Sequence, residues 1–241
     1  MPHLFQSFWS GPPLSLYERL CLKSFIDHGH RFVLYSFDPK LEAPAGVELR
    51  DAAEILDPSE FFVYRGNGFG RGSPAAFANL FRYELLSRLG GWWVDTDMVC
   101  LSSNIPPVRA FYAKQHDGQF NNAALCFPPW HPVMLRCLAE ARRMGQNLIW
   151  GQSGPALLTT VLEQILAGRE IAPTWLAYPV PVQNAFAILR PERTEWVAEL
   201  ARPSWFLHLW NEALRSRGID KNRTPPPGSF LHGLFIRHGI I

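Results

Sequence analysis

The 241-residue sequence predicts an α/β fold. Its first forty residues alternate strand, helix and strand, the beginning of an α/β sheet. Further on, a well-marked helix ends at Gly90-Gly91 and passes at once into an apolar strand. That strand carries two carboxylates, Asp95 and Asp97, near its carboxyl end, where α/β sheets place their ligands.

The elements follow in order. "HLFQSFW" (3–9) reads as a buried strand stopped by Gly11-Pro12-Pro13. Leu14 to Asp27 places Leu16, Leu20, Cys21 and Phe25 near helical spacing, and Gly29 closes the helix. "RFVLYSF" (31–37) is a second strand, ended by Asp38-Pro39. A short third strand at 47–50 precedes a short helix near 51–56. "RGNGFGRG" (65–72) does not follow a strand as a dinucleotide-binding turn would, so it reads as a loop before a helix. In that helix Ser73 suits the N-cap and Pro74 the first turn. Phe77, Phe81, Leu85 and Arg88 form one row along it, and Asn79, Arg82 and Leu86 another. Strands are expected at 92–99, 110–114, 122–127 and 205–210, and helices at about 131–143 and 155–167. The tail, 219–241, ends in "FLHGLFIRHG", apolar with a basic edge, which suits capping of the core or contact with a membrane surface.

Composition limits the function classes. At 47% hydrophobic and 18% charged residues the chain can bury a sizeable core, and a net charge of +2 implies no nucleic-acid partner. Four scattered cysteines without a CxxC pair argue against a zinc site and read as buried free thiols of a reducing compartment. The first ten residues lack a charged region followed by an apolar one, and no run is long enough to span a membrane; a cytoplasmic location is the expectation. Nine tryptophans suit the stacking of a sugar or a flat ligand.

Residues two apart in a strand face the same side, so Asp95 and Asp97 point together if the strand runs through them. Two unpaired carboxylates at that spacing repel, and burial adds to the cost. A divalent cation resolves this: Mg²⁺ and Mn²⁺ prefer oxygen and commonly take one or two carboxylates plus substrate phosphates. Asp-x-Asp alone is a weak motif in a chain with eight aspartates; a surface turn with two solvated acids is the alternative.

"AFANLFRYELLSRLGGWWVDTDMVCL" (76–101) resembles the sugar-binding region of glycosyltransferases with a DXD motif. The resemblance is to the α-1,4-galactosyl- and N-acetylglucosaminyltransferase-like and initiating-mannosyltransferase-like group, and more remotely to glucosylating bacterial toxins. "SFIDHGHRFVLYSF" (24–37), "NNAALCFPPWHPVM" (121–134), "GQSGPALLT" (151–159) and "FLHLWN" (206–211) resemble further blocks, more loosely. The resemblance implies a GT-A fold, with a mixed, mostly parallel sheet flanked by helices in a single domain. About 1–101 would form a nucleotide-binding half, about 102–218 an acceptor-binding half, and 219–241 a tail. It also implies a nucleotide-sugar donor, most often a UDP-sugar, a Mn²⁺ or Mg²⁺ cofactor, and a glycan, lipid-linked or protein acceptor.

The resemblance further implies roles. Asp97 would bind the metal directly, and Asp95 would hold the ribose or a metal-bound water. Arg82 would lie near the donor sugar or diphosphate, unless it forms a helix-surface ion pair. Asn79 stands where many relatives have an aspartate that bonds donor-sugar hydroxyls, which obscures the identity of the sugar. Phe8, Trp9 and Ser10 end the first strand where relatives contact the base, and Tyr35 ends the second; Phe8 and Trp9 suit the core equally well. Trp93 would share the face of the acids, against nucleotide or in the core. Asn122, with Asn121, and Gln152 would orient the acceptor or support the transition state, or else cap loops. His208 would be a third metal ligand, or a core histidine, and Trp210 and Asn211 would close over the diphosphate. Relatives of this type retain anomeric configuration; with no isolated carboxylate placed as nucleophile, front-face displacement is expected over a covalent route. Two other classes fit the same acids: another Mg²⁺-dependent nucleotide-sugar enzyme, such as a hydrolase or nucleotidyltransferase, and a non-catalytic carbohydrate-binding protein.

Overall fold

The computed structural model describes residues 2–65, 70–165 and 171–241. Half of the glycine-rich stretch expected as a loop (66–69 of 65–72), and the last two residues of the helix expected at 155–167, lie outside the described residues.

The sheet is built from β1 (Leu4–Trp9), β2 (Arg31–Ser36), β3 (Val47–Asp51), β4 (Gly91–Val94), β6 (Phe111–Lys114) and β7 (Phe120–Phe127), in the order β3-β2-β1-β4-β7-β6. The first four are parallel neighbours, while β7 runs antiparallel to both β4 and β6. The sheet is therefore mixed and mostly parallel, as expected. A separate two-stranded ribbon pairs β5 (Met98–Cys100) with β8 (Phe206–His208), antiparallel.

Alternation along the strands sorts side chains into two layers. Phe8, Val33, Tyr35, Trp93, Leu125 and Phe127 face α2 (Ala75–Arg88), α3 (Pro132–Met144) and α4 (Leu157–Ile165). Phe5, Phe32, Leu34, Trp92 and Val94 face α1 (Leu16–Asp27) and the β5–β8 ribbon, which contributes Met98 and Phe206. A third cluster packs the outer side of α1 against α5 (Thr194–Ala201), α6 (Asn211–Ser216) and α7 (Phe230–Arg237).

Local chemistry sets the ends of these elements. α1 starts with a capping box: the Ser15 hydroxyl accepts from the backbone N–H of Tyr17, and Glu18 reaches back to the backbone N–H of Ser15 at 3.0 Å. α2 begins at Ala75, one residue later than expected, but the Ser73 hydroxyl accepts from Ala75 N at 3.2 Å, the bond expected of a residue that caps the helix start. The helix expected near 51–56 is a single 3₁₀ turn over Ala52–Glu54. Before α4 the chain makes a wide π-type turn at Gln152–Ala156, where Pro155 has no N–H to give and Gly154 leaves helical geometry.

Gly90 ends α2 with φ +65°, and a Cβ there would lie 2.5 Å from the nitrogen of Pro129. Left-handed backbone and lack of space act together, so Gly90→Ala is expected to cost about 2–3 kcal/mol in urea unfolding. A loss below about 0.5 kcal/mol, the range of neutral surface changes, would show that this turn is not constrained.

The tail turns its apolar face inward. Leu231, Leu234 and Phe235 of α7 are buried, with Phe235 edge-on to Tyr17 at 5.5 Å, and His238 Nδ1 sits 2.8 Å from Asp27 Oδ2. The residues that would have entered a membrane surface are thus spent on covering α1. Among the described residues no helix is long and apolar enough to cross a membrane. All four cysteines are free and buried, and burial pushes the Cys100 and Cys126 thiols up to about 12.

Candidate active site

The strand expected over 92–99 is broken. β4 stops at Val94, a turn occupies 95–97 with Met98 N donating to Asp95 O at 3.0 Å, and β5 begins a new ladder. Asp95 and Asp97 therefore do not share a strand face. Asp95 continues the face of Trp93, toward α2, while Asp97 is delivered to the β5–β8 ribbon on the other side of the sheet.

On the α2 side, the Asp95 carboxylate pairs with the guanidinium of Arg82 and accepts from Trp93 Nε1 at 2.8 Å. Arg82 is 2% exposed, and its guanidinium lies 4.8 Å over the Trp93 ring. Arg82 Nη1 donates to Asn79 Oδ1 at 2.9 Å, and Asn122 Nδ2 donates to the same oxygen at 2.8 Å. Asn79 Nδ2 in turn donates to Ser153 Oγ at 3.2 Å, and the Tyr83 hydroxyl to Ser153 O at 3.0 Å. Asp95, Arg82, Asn79, Asn122 and Ser153 thus form one buried polar chain across β4, α2, β7 and the π turn. Gly154 lies close beside it, and a Cβ there would crowd Asn79 Nδ2 at 3.0 Å and Asn122 Nδ2 at 3.3 Å.

On the ribbon side, Asp97 Oδ2 lies 3.2 Å from His208 Nε2 and accepts from Asn211 N at 2.9 Å. The pairing of Met98 with His208 in the β5–β8 ladder sets this juxtaposition. Trp210 adopts φ +57°, donates from Nε1 to Val180 O at 2.9 Å, and packs against His208 with ring centroids 4.0 Å apart and the planes tilted by 36°. A buried tryptophan in left-handed geometry is strained, and such strain concentrates at functional sites. Asn211 Nδ2 donates at 2.7 Å to Glu18, a buried carboxylate that also pairs with Lys221 of the tail.

The two acids differ electrostatically. Burial raises the Asp95 carboxyl above its ordinary value, with Arg82 opposing and the Asp97 charge adding to the rise; its side chain stays 31% exposed, so solvent relieves part of this. Burial would raise Asp97 as well, but His208, the Asn211 N–H and Lys221 outweigh it and hold Asp97 below the ordinary carboxylate range. The environment thus favours the charged form of Asp97 more strongly than that of Asp95.

Asp97 and His208 can hold a hard divalent ion. Two donors at right angles, each about 2.1 Å from such an ion, stand about 3 Å apart, close to the separation found. His208 Nδ1 and Asn211 Oδ1 are buried polar atoms with no hydrogen-bond partner among the described residues. Among the described residues no third His, Cys, Asp or Glu completes a group of three. The arrangement suits an ion that draws its remaining ligands from water and substrate oxygens.

The other expected residues divide. Phe8 and Tyr35 are core: Phe8 stacks on Phe81 at 4.6 Å, and Tyr35 is 1% exposed, so neither offers a face to a base. Both point to the α2 side of the sheet, where aliphatic and aromatic neighbours enclose them. Trp9 and Ser10 are half-buried at the carboxyl edge, with Trp9 Nε1 donating to Pro12 O at 2.9 Å. Asn121 is spent on the β6–β7 hairpin, donating to Gln115 Oε1 at 2.6 Å. Gln152 Oε1 accepts from Ile149 N at 3.2 Å and caps its own turn. Ser153, Tyr83, Glu18 and Lys221 join the two networks without having been singled out in the sequence. Only the small-residue context of Ser153 in "GQSGP" and the Ser15–Glu18 capping spacing hinted at two of them.

No family model matches the chain. It is 30% identical over 154 residues to the lactosylceramide 4-alpha-galactosyltransferase of Mus musculus and 29% identical over 154 residues to that of Rattus norvegicus. Each match covers 59% of this chain and 42% of the relative, so the chain spans less than half the length of these proteins. It is 30% identical over 81 residues to the human alpha-1,4-N-acetylglucosaminyltransferase, covering 34% of this chain and 23% of that one. Among solved structures, the PaToxG glycosyltransferase aligns with a TM-score of 0.50 at 11% identity, covering 99% of this chain and 86% of the other, which shows a shared fold.

Proposed function

We propose that this chain, a homologue of the α-1,4-glycosyltransferases, is itself a metal-dependent glycosyltransferase that moves a hexose from a nucleotide-sugar, a UDP-sugar by preference, to a glycan or glycolipid hydroxyl. One observation carries the reading: Asp97 and His208, far apart in sequence, meet at 3.2 Å at the carboxyl end of β4, next to a buried Asp95–Arg82 pair. Asp97 and His208 would hold Mn²⁺ or Mg²⁺, which when bound supplies Lewis-acid stabilisation to the diphosphate leaving group.

The rest is the work of the chain's own groups. Arg82 carries a permanent buried positive charge, and its tie to Asp95 fixes the orientation of the carboxylate that would meet the ribose. Asn79 uses both ends of its amide internally, so it acts by holding Arg82 and Asn122 in place. Trp210, locked on His208 and Val180, and Asn211, whose N–H is aimed at Asp97, shape the wall over the leaving group. The carboxylates that border Asp97 are each engaged, Asp95 by Arg82 and Glu18 by Lys221. Neither is poised as a nucleophile, which favours front-face displacement with retention, the leaving phosphate oxygen taking the acceptor proton.

The test is a screen of UDP- and GDP-sugars with Mn²⁺, with and without lactose-type acceptors, reading released nucleoside diphosphate and sugar. At least one donor is expected to turn over only when metal is present. No turnover, together with no metal-dependent affinity for UDP by calorimetry, would remove the reading. Hydrolysis that no acceptor redirects would make the protein a hydrolase instead.

A further inference from the structure

A second concave site lies on the far end of α6 from Asp97. It is a cavity of about 280 Å³ enclosed by the 182–189 and 191–193 turns, the start of α5 and the end of α6. Its lining brings together Arg190, Arg193 and Arg217 with Trp196, Phe186 and Asn184. No carboxylate lines it, and among the described residues none of these three arginines forms an ion pair, whereas Arg215, two residues before Arg217, pairs with Glu212. Three like charges around one hollow repel each other, a cost that an anion relieves.

The walls are held in place. Arg193 N donates to Arg190 O at 2.9 Å and Arg190 N to Ala187 O at 3.2 Å, so both arginines spring from tight, hydrogen-bonded turns. The Arg217 guanidinium is carried 5.8 Å over the Phe186 ring. Thr194 Oγ1 ties the start of α5 to Gly228 O of the tail at 2.8 Å. Guanidinium forks match carboxylate and phosphate oxygens in pairs, and the Trp196 indole offers a flat apolar surface of the kind on which a sugar ring rests. The volume is near the lower end for small-ligand pockets, about 300 Å³.

We infer that this arginine-lined cavity binds an acidic sugar, a carboxylate- or phosphate-bearing ring, and serves as a subsite for an anionic acceptor. α6 joins it to the candidate active site: Asn211 at its first residue meets Asp97, and Arg217 follows its last, about 9 Å along the axis. The naming of the anion as acceptor rests on the glycosyltransferase reading; the binding of an anion does not.

Calorimetry on the whole chain with 3′-sialyllactose, lactose and glucose 6-phosphate tests it. At least one acidic probe is expected to bind ten-fold or more tightly than lactose, and which one does so tells a carboxylate from a phosphate. The double variant Arg193→Gln/Arg217→Gln, both positions exposed, is expected to bring that probe down to the level of lactose without a change in melting temperature. Equal binding of acidic and neutral probes, or acidic binding untouched by the double variant, overturns the proposal. UDP with Mn²⁺ is titrated on the same samples. If UDP fails to bind and no UDP- or GDP-sugar turns over while the acidic sugar binds, the glycosyltransferase reading falls and the anion site stands; if a donor turns over and the acidic sugars do not bind, the reverse holds.

Discussion

Asp97→Asn is expected to lower sugar transfer by about 10³-fold or more, the size of loss found when a group that stabilises developing negative charge is removed. The amide keeps the shape of the side chain and can still accept from Asn211 N, so the β5–β8 ribbon should persist and the far-ultraviolet circular dichroism should match the parent. What it removes is the anion that His208, the Asn211 N–H and Lys221 together keep below the ordinary carboxylate range. Mn²⁺-dependent affinity for UDP should fall with it. Because the folded value is depressed, the stabilisation from this carboxylate is complete above the unfolded value of about 3.9 and is lost as pH falls through the folded one. The variant should therefore show a flatter acid limb in a plot of stability against pH. Turnover within ten-fold of the parent would refute the assignment of Asp97.

Arg82→Met is expected to cost about 3 kcal/mol in urea unfolding near pH 8, the scale for breaking a buried ion pair from one side. Three contacts disappear at once: the pair with Asp95, the bond to Asn79 Oδ1 and the stack over Trp93. Arg82 also opposes the burial and the Asp97 charge that raise the Asp95 carboxyl, so its removal lets Asp95 rise further. For an acid whose folded value is raised, stability is fully present below the unfolded value and lost as pH climbs through the folded one. The deficit of the variant should accordingly shrink at pH 5 relative to pH 8. A deficit that is the same at both values would show that Asp95 is relieved by solvent, and a deficit below about 0.5 kcal/mol would show that the pair is no more than a surface bridge.

The two variants separate residues that look equivalent on paper. Asp-x-Asp suggests two matched ligands on one strand face, because a strand has period two. In the fold the strand ends at Val94, before either acid. Asp95 keeps the direction set by β4 and meets α2; Asp97 takes the direction set by β5 and meets β8. His208 lies 111 positions along the chain from Asp97, and its nearness follows from the Met98–His208 ladder pairing alone. The helix rows were readable: Asn79 and Arg82, one turn apart on α2, do point into the same buried cluster. Phe8 is ambiguous in sequence, and Tyr35 reads as lining the base pocket, because an aromatic residue at a strand end suits a core and a stacking platform alike. Which it becomes depends on whether a helix covers that face, and α2 does.

By itself the sequence determined the α/β class, the order of most helices and strands up to α4, the Gly90-Gly91 stop and the resemblance to α-1,4-glycosyltransferases, since each of these rests on residues close together in the chain. Tertiary structure alone decided that Asp95 belongs to Arg82, that Asp97 belongs to His208, and that Glu18 and Lys221 stand behind Asn211. It also decided that Arg217 joins Arg190 and Arg193, two neighbours in one turn, around one hollow. These depend on strand pairing and helix packing between segments with no local signal for each other, and such pairings are settled by burial of the whole core rather than by any one stretch of sequence.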